Sequence, residues 1–348
     1  MRRIIILLLA LIGTFSCPRS APGTENGKVT GRLSLGYDNI VLTQAASKTN
    51  HLFPSVHLDS RISLFPHSKR LGGVFRFQNG SRVMVSEDEN ILLNQADLGL
   101  SLLISPKVSS EVLGKVKYKS ISRAEDVPIQ GEYGYRYWNS GVVLKYCENA
   151  FDSGIRYLYH HRNYVDREFL DSKNHQIQFM TNALFTSTLT GCLSAKVEIF
   201  RFEKHRGTLV QEHADTFYEL SFGCQWIHGL LINPAYALQR NTSDHAEYSF
   251  NAHQFSILTA LPLCWEVTLQ CYGQLQLCKY DSQEPTISSV PDDDTIEQSN
   301  NVLVLSLSKD IRDNYSLEMK YLLSRTDPSS SSEKYQKQSY SATVSYLF

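Results

Sequence analysis

Charged residues fall on the polar side of alternating segments in this 348-residue sequence, at places two apart, as at Lys115, Lys117 and Lys119. Arg32, Arg61, Arg76, Lys115, Lys117, Lys119, Arg156, His160 and Arg162 lie in its first half. Glu198, Glu219, Glu266 and Glu318 lie in the second, with Lys196 and Lys320 among them. A period of two is that of a β-strand, in which alternate side chains share a face. Each set would therefore line one face of a sheet. A mostly basic wall facing a mostly acidic one across water would make a field that orients dipolar solutes and selects ions. Asp59, Asp97 and Glu111 stand among the early cations. Pairing along the wall, which would rigidify it, is thus the competing role.

Other chemistry is weakly represented. No Gly-x-Ser-x-Gly, His-Glu-x-x-His or phosphate-binding Gly-rich loop occurs, and the sequence implies neither an enzyme nor a cofactor. No Cys-x-x-Cys or His-x-x-x-His pair is present, so no metal site is expected. His160 and His161 are adjacent on a strand and point to opposite faces. Of the seven cysteines, Cys264, Cys271 and Cys278 fall seven residues apart on one expected strand. Neighbours would be about 23 Å apart at ~3.3 Å per residue, too far to bridge. Cys192 and Cys224 fall on adjacent strands but on opposite faces. Free thiols, buried or lipid-facing, are the expectation.

The elements that must carry these residues begin after a leader. Met1-Arg2-Arg3 precedes an apolar stretch over 4–15, too short to span a bilayer as a helix. Residues 1–16 read as a secretory signal peptide, 17–27 as a flexible periplasmic lead and 28–348 as one domain. Thr14-Phe15-Ser16-Cys17 is a poor lipobox because Phe15 is bulky. A formal net charge of −1 gives no reason to expect a nucleic-acid partner. Nineteen Tyr and 16 Phe accompany a modest apolar share, which fits a polar interior inside a greasy outer face.

After residue 28 almost every segment alternates apolar and polar residues. Leu58, Ile62 and Leu64 oppose Asp59, Arg61 and Ser63; Leu98, Leu100 and Leu102 oppose Asp97, Gly99 and Ser101. The stretch 265–279 alternates most cleanly, with Glu266 on its polar side. About 16 strands result, and their connections alternate between long polar loops and short turns, as an up-and-down membrane barrel requires. Miscounting by a hairpin would leave 14 or 18. Hydrocarbon leaves no partner for an open strand edge, so a sheet crosses only when closed. The expected fold is all-β: a single up-and-down antiparallel transmembrane β-barrel. Tyr37, Tyr118, Trp138, Tyr146, Trp226, Trp265 and Tyr315 sit near strand ends on the apolar face, where aromatic girdles belong.

The last stretch sets Tyr340, Ala342, Val344, Tyr346 and Phe348 against Ser339, Ser341, Thr343 and Ser345. It resembles the closing strand of bacterial outer-membrane β-barrels, whose terminal Phe is part of the signal read by the barrel-assembly machinery. The resemblance assigns that signal to Tyr346 and Phe348 and implies an integral outer-membrane protein in contact with lipid and lipopolysaccharide. Sixteen strands with Arg on adjacent early strands resemble general porins, which implies a passive channel for small hydrophilic solutes or ions and allows a homotrimer. General porins fold a long third loop inward, whereas the segment 120–134 is short. Barrels that export exopolysaccharide are a second resemblance, though no helical-repeat scaffold is present. A structural or adhesive surface barrel is the third alternative. The acidic loop 281–297 reads as a solvated rim able to hold divalent cations that bridge lipopolysaccharide.

Overall fold

The structure is a computed structural model that describes residues 27–42, 47–65, 67–84, 89–122, 134–165, 171–202, 213–245, 248–281, 301–312, 314–326 and 335–348. The stretch expected to be a signal peptide, the expected lead up to residue 26, Cys17 and most of the acidic 281–297 segment lie outside the described residues.

Among the described residues, sixteen strands form a single closed sheet. They are β1 (Gly27–Leu42), β2 (Ser47–Leu64), β3 (Leu71–Met84), β4 (Glu89–Ser105), β5 (Val108–Ser122), β6 (Tyr135–Glu148), β7 (Phe151–Tyr164) and β8 (Ser172–Thr186). The second half comprises β9 (Leu189–Phe202), β10 (His213–Ile227), β11 (Leu231–Ser243), β12 (Phe250–Pro262), β13 (Val267–Tyr280), β14 (Asn301–Arg312), β15 (Tyr315–Thr326) and β16 (Tyr335–Leu347). Each strand pairs antiparallel with its sequence neighbours, and β1 pairs with β16 from Thr30↔Leu347 to Leu42↔Tyr335. The Phe348 N–H then donates to the Val29 carbonyl at 2.9 Å. Both edges are thereby removed, as hydrocarbon demands.

The alternation in the sequence becomes the two faces of this wall. Leu33, Leu35, Val112, Val116, Val142, Leu144, Ile155, Ile177, Leu277 and Met319 are all exposed, which for a membrane barrel means facing lipid. Their neighbours one residue away face the lumen. Val142 is 53% exposed and Val143 only 4%, an adjacent pair split by the pleat. Val142 lies mid-strand, so Val142→Arg is expected to cost ~2–4 kcal/mol, the penalty of a cation at the membrane midplane. Val142→Leu should stay within about 0.5 kcal/mol. Urea unfolding of the protein folded into lipid vesicles measures both.

Short connections alternate with long ones. Pro106-Lys107 and Asn149-Ala150 turn the chain in two residues, Asn149 with φ 44° in the left-handed region that Asn tolerates. The strands run 12 to 18 residues, and the first long connection takes only 43–46. The ladder continues to the ends of β1 and β2, where Asn39 pairs in register with Asn50 and Val41 with Lys48.

One element departs from the expected strand 265–279. Cys264–Glu266 forms a 3-10 turn, with Trp265 and Glu266 at φ 58° and 61°, and β13 starts only at Val267. Reversing direction after Pro262 takes a left-handed pair, and the Leu263 N–H closes the turn on the Val267 carbonyl at 2.7 Å. Alternating residue types do not encode that reversal. Trp265, 80% exposed, stands at the short-turn rim, and Cys264 leaves the strand that keeps Cys271 and Cys278.

Candidate functional site in the barrel lumen

Register brings the early charged residues into one row. Arg61 faces Arg76, Arg76 faces Asp97, Asp97 faces Lys115, Lys115 faces Asn139 and Asn139 faces His160. Directly opposed residues in a ladder share a face, so the row runs along one side of the wall from β2 to β7. Arg32 on β1, Lys117 on β5 and Arg156 on β7 lie on the same side.

Part of this charge is consumed within the wall. Arg76 forks onto Asp59, its Nε donating to Oδ1 at 2.9 Å and its Nη2 to Oδ2; Gln78 Nε2 donates to Oδ2 at 3.2 Å. Lys115 Nζ stands 3.6 Å from Asp97 Oδ1, and Gln95 Nε2 donates to the other oxygen at 2.7 Å. Lys145 pairs with Glu111 at 2.8 Å. Arg32, Arg61 and Arg156, by contrast, form no ion pair among the described residues. Arg156 Nη2 donates to the amide oxygen of Gln178, while its buried Nε has no hydrogen-bond partner. A cavity of about 730 Å³ opens on this wall, and Asp59, Arg61, Arg76, Asp97, Lys115 and Arg156 line it. Four cations against two carboxylates leave these six a net charge of +2.

Toward the long-connection end the same strands hold a second basic group built on aromatic rings. Tyr135 is fully buried, with the Arg162 guanidinium 4.9 Å and the Lys117 ammonium 5.3 Å from its ring centre. Arg82 lies 4.4 Å over the Phe53 ring. Such stacking holds long cationic side chains against the wall and out of the pore.

Half-way round the closed sheet, β10, β11 and β13 face β2, β3 and β5. An acidic wall was expected there, and the four named glutamates do not form one. Glu266 sits in the exposed 3-10 turn beyond the strand end. Glu198 and Glu219 do face the lumen, but Lys196 lies between them at 3.6 and 3.9 Å. Glu318 lies apart on β15, opposite Ser308 and Thr343. The wall is chiefly amide and hydroxyl. Gln239 Nε2 donates to Glu219 at 2.9 Å and to Gln254 at 3.0 Å, and Gln276 Nε2 donates to Gln239 at 2.6 Å. The arrangement is therefore a basic side facing a neutral hydrogen-bonding side.

Two polar features escaped the sequence reading. Asp38, 1% exposed, meets Lys337 across the β1–β16 seam at 3.4 Å. Arg82 joins the upper basic group. Each lies toward a strand end, where the alternation of residue types fades. Carrying the two-residue period one step further would have placed all three on the lumen side.

The cysteines fall as expected: Cys192 and Cys224 are free and on opposite faces of neighbouring strands. Tyr346 and Phe348 face outward, their rings 4.5 Å apart and edge-on.

No family model and no curated protein sequence matches this chain. Solved structures do. OccAB3 of Acinetobacter baumannii superposes with a TM-score of 0.51 at 7% identity, over 93% of this chain and 100% of that one. OccD3 (OpdP) of Pseudomonas aeruginosa gives 0.50 at 8% identity, over 93% and 92%. At such identity the likeness is one of fold: among its described residues this chain forms a closed antiparallel β-barrel of sixteen strands, similar in fold to those two structures.

Proposed function

We propose that the protein is a passive outer-membrane channel for small hydrophilic solutes and ions, with anions favoured. A barrel of this size leaves an aqueous interior, unlike an eight-stranded one that side chains fill. The observation that carries the reading is the cavity on the β2–β7 wall. Arg61 and Arg156 reach it without a carboxylate partner, and the groups lining it sum to +2. The amide and hydroxyl wall opposite offers hydrogen bonds without opposing charge. An anion entering this space exchanges hydration for guanidinium contacts on one side and polar contacts on the other.

The purified protein is expected to give stepwise conductance in planar bilayers. Its reversal potential in a KCl gradient should show chloride preferred over potassium at ~0.1 M salt. Arg61→Gln/Arg156→Gln should lower that preference about threefold, because each removes one unpaired unit charge about a Debye length from passing ions. Absence of conductance ends the channel reading. Conductance with selectivity unchanged in the double variant ends the assignment to these two arginines.

A further inference from the structure

The lumen holds a row of aromatic rings that ion conduction does not use. On the side opposite the basic wall, direct register runs from Phe217 to Asn241, from Asn241 to Phe250 and from Phe250 to Tyr280, across β10 to β13. Opposed residues share a face, and Glu219 and Gln239, each two residues along, face the lumen, so these four do too. Phe200 and Phe202 on β9 lie on the same side, since Phe200 pairs with Asp215, two residues from Phe217. The rings adjoin one another. Phe217 and Phe250 have centres 6.5 Å apart, Phe250 and Tyr280 5.7 Å, and Phe200 and Phe202 6.4 Å with nearly parallel planes. Asn241, 6% exposed, lies covered where Phe217 and Phe250 meet. All five rings are half-buried, so part of each stays open to the lumen.

The surroundings say what such a strip would take. One pleat step toward the short turns, about 7 Å at ~3.3 Å per residue, lie Glu219 and Gln239; Gln254 and Gln276 lie a step further. These four planar groups are linked by hydrogen bonds and still have capacity to spare. The Gln254 amide nitrogen donates to nothing and the Gln276 side-chain oxygen accepts nothing among the described residues. Lys196, the one lumen-facing Lys or Arg described on β9 to β13, lies between Glu198 and Glu219 with its ammonium 4.8 Å from the Phe217 ring centre. No free cation therefore awaits an anionic group on this side. A purely apolar solute would cover the carboxylates and amides without bonding to them, which opposes its binding. Rings beside hydrogen-bonding groups match an uncharged solute with an apolar face and a rim of hydroxyls.

We infer that the strip is a binding surface for neutral pyranose sugars, short oligosaccharides above all. The C–H face of a pyranose stacks on an aromatic ring, while its hydroxyls both donate and accept, as carboxylates and amides together require. The rings span β9 to β13, which at ~4.8 Å per strand gives room for more than one sugar unit. Such a site rests on the channel reading, since sugar must reach it through a water-filled lumen. It stands apart from Arg61 and Arg156 on the facing wall.

Saturation-transfer NMR titration of the full protein in a sugar-free amine-oxide detergent tests this, with maltotriose and cellotriose as probes and tetraethylene glycol and benzoate as comparators. At least one trisaccharide should bind about tenfold more tightly than either comparator. Phe217→Leu/Phe250→Leu keeps apolar bulk but removes the rings, and should weaken that binding about tenfold, whereas Phe217→Tyr/Phe250→Tyr should keep most of it. Gln254→Met/Gln276→Met leaves the rings in place and should weaken it about fivefold through lost hydrogen bonds. Phe179→Leu, on the lipid face, should bind like the parent. Glycol or benzoate bound as tightly as both trisaccharides overturns the proposal, as does a double Leu variant that binds like the parent. In planar bilayers the bound trisaccharide should also interrupt the current. Sugar binding by this pattern without any conductance supports the strip and removes only the channel reading; conductance without sugar binding removes the strip alone.

Discussion

Lys337→Met is expected to destabilise the barrel by ~3–5 kcal/mol, the penalty for stranding a buried charge. Lys337 and Asp38 are 9% and 1% exposed at their side chains, 3.4 Å apart, on the two strands that close the sheet. Asp38 Oδ1 has no hydrogen-bond partner, so the carboxylate depends on its remaining contacts, the lysine foremost. Methionine preserves most of the lysine's length and apolar stem while removing the ammonium. The carboxylate would then be left in a pocket from which β16 excludes water. Asp38→Asn/Lys337→Met removes both charges and should recover most of the loss, since replacing a buried pair by neutral groups is often close to neutral. Urea unfolding of the vesicle-embedded protein reads both variants. A single variant no weaker than the double would show that the seam is held by its backbone ladder alone. The position adds interest: β1 and β16 are the strands farthest apart in sequence, so their pairing carries the largest loop-closure cost.

Much of this fold could be read directly from residue types. In a wall one residue thick, with lipid on one side and water on the other, each side chain has only two environments. The two-residue rhythm of Leu98, Leu100 and Leu102 against Asp97, Gly99 and Ser101 therefore encodes orientation almost completely. The strand ends were less legible. Beyond the girdles both faces meet polar surroundings, so the rhythm fades while the ladder continues. That is why the β1–β2 ladder runs on to Leu42 and Ser47 without an apolar–polar alternation to mark it. The turn at Trp265 was illegible for a different reason. Its left-handed pair consists of a Trp and a Glu, not of Gly or Asn, which would have marked it.

The site was legible in part. Parity alone placed Arg32, Arg61, Arg76, Lys115, Lys117 and Arg156 on a common side. What alternation does not supply is register, the offset between adjacent strands. Register decides that Asp59 lies within reach of Arg76, and that Lys196 falls between Glu198 and Glu219. A list of charges by strand therefore overstated the acidic wall. The unpaired cations only became visible once the pairs were subtracted.

That subtraction sets the last expectation. Arg61→Glu/Arg156→Glu should invert the selectivity of the channel, favouring potassium over chloride. Each replacement changes the local charge by two, four units in all. At about 10 Å in water a unit charge is worth ~0.4 kcal/mol before screening. Screening at ~0.1 M, where the Debye length is about 10 Å, reduces four units to roughly 0.6 kcal/mol for each ion. Potassium and chloride shift in opposite directions, so their ratio should move about tenfold. At ~1 M the Debye length falls to about 3 Å, and the difference between parent and variant should nearly vanish. The paired acids supply the opposite control. Asp59→Asn frees Arg76 from its fork and adds one net positive charge, so it should strengthen chloride preference. Arg76→Ala, by releasing Asp59, should weaken that preference although the arginine itself is neutralised in the parent. A purely structural role for the wall would give no such opposed pair of shifts. Equal selectivity in Asp59→Asn and Arg76→Ala would thus separate a scaffold of ion pairs from a wall whose residual charge acts on passing solutes.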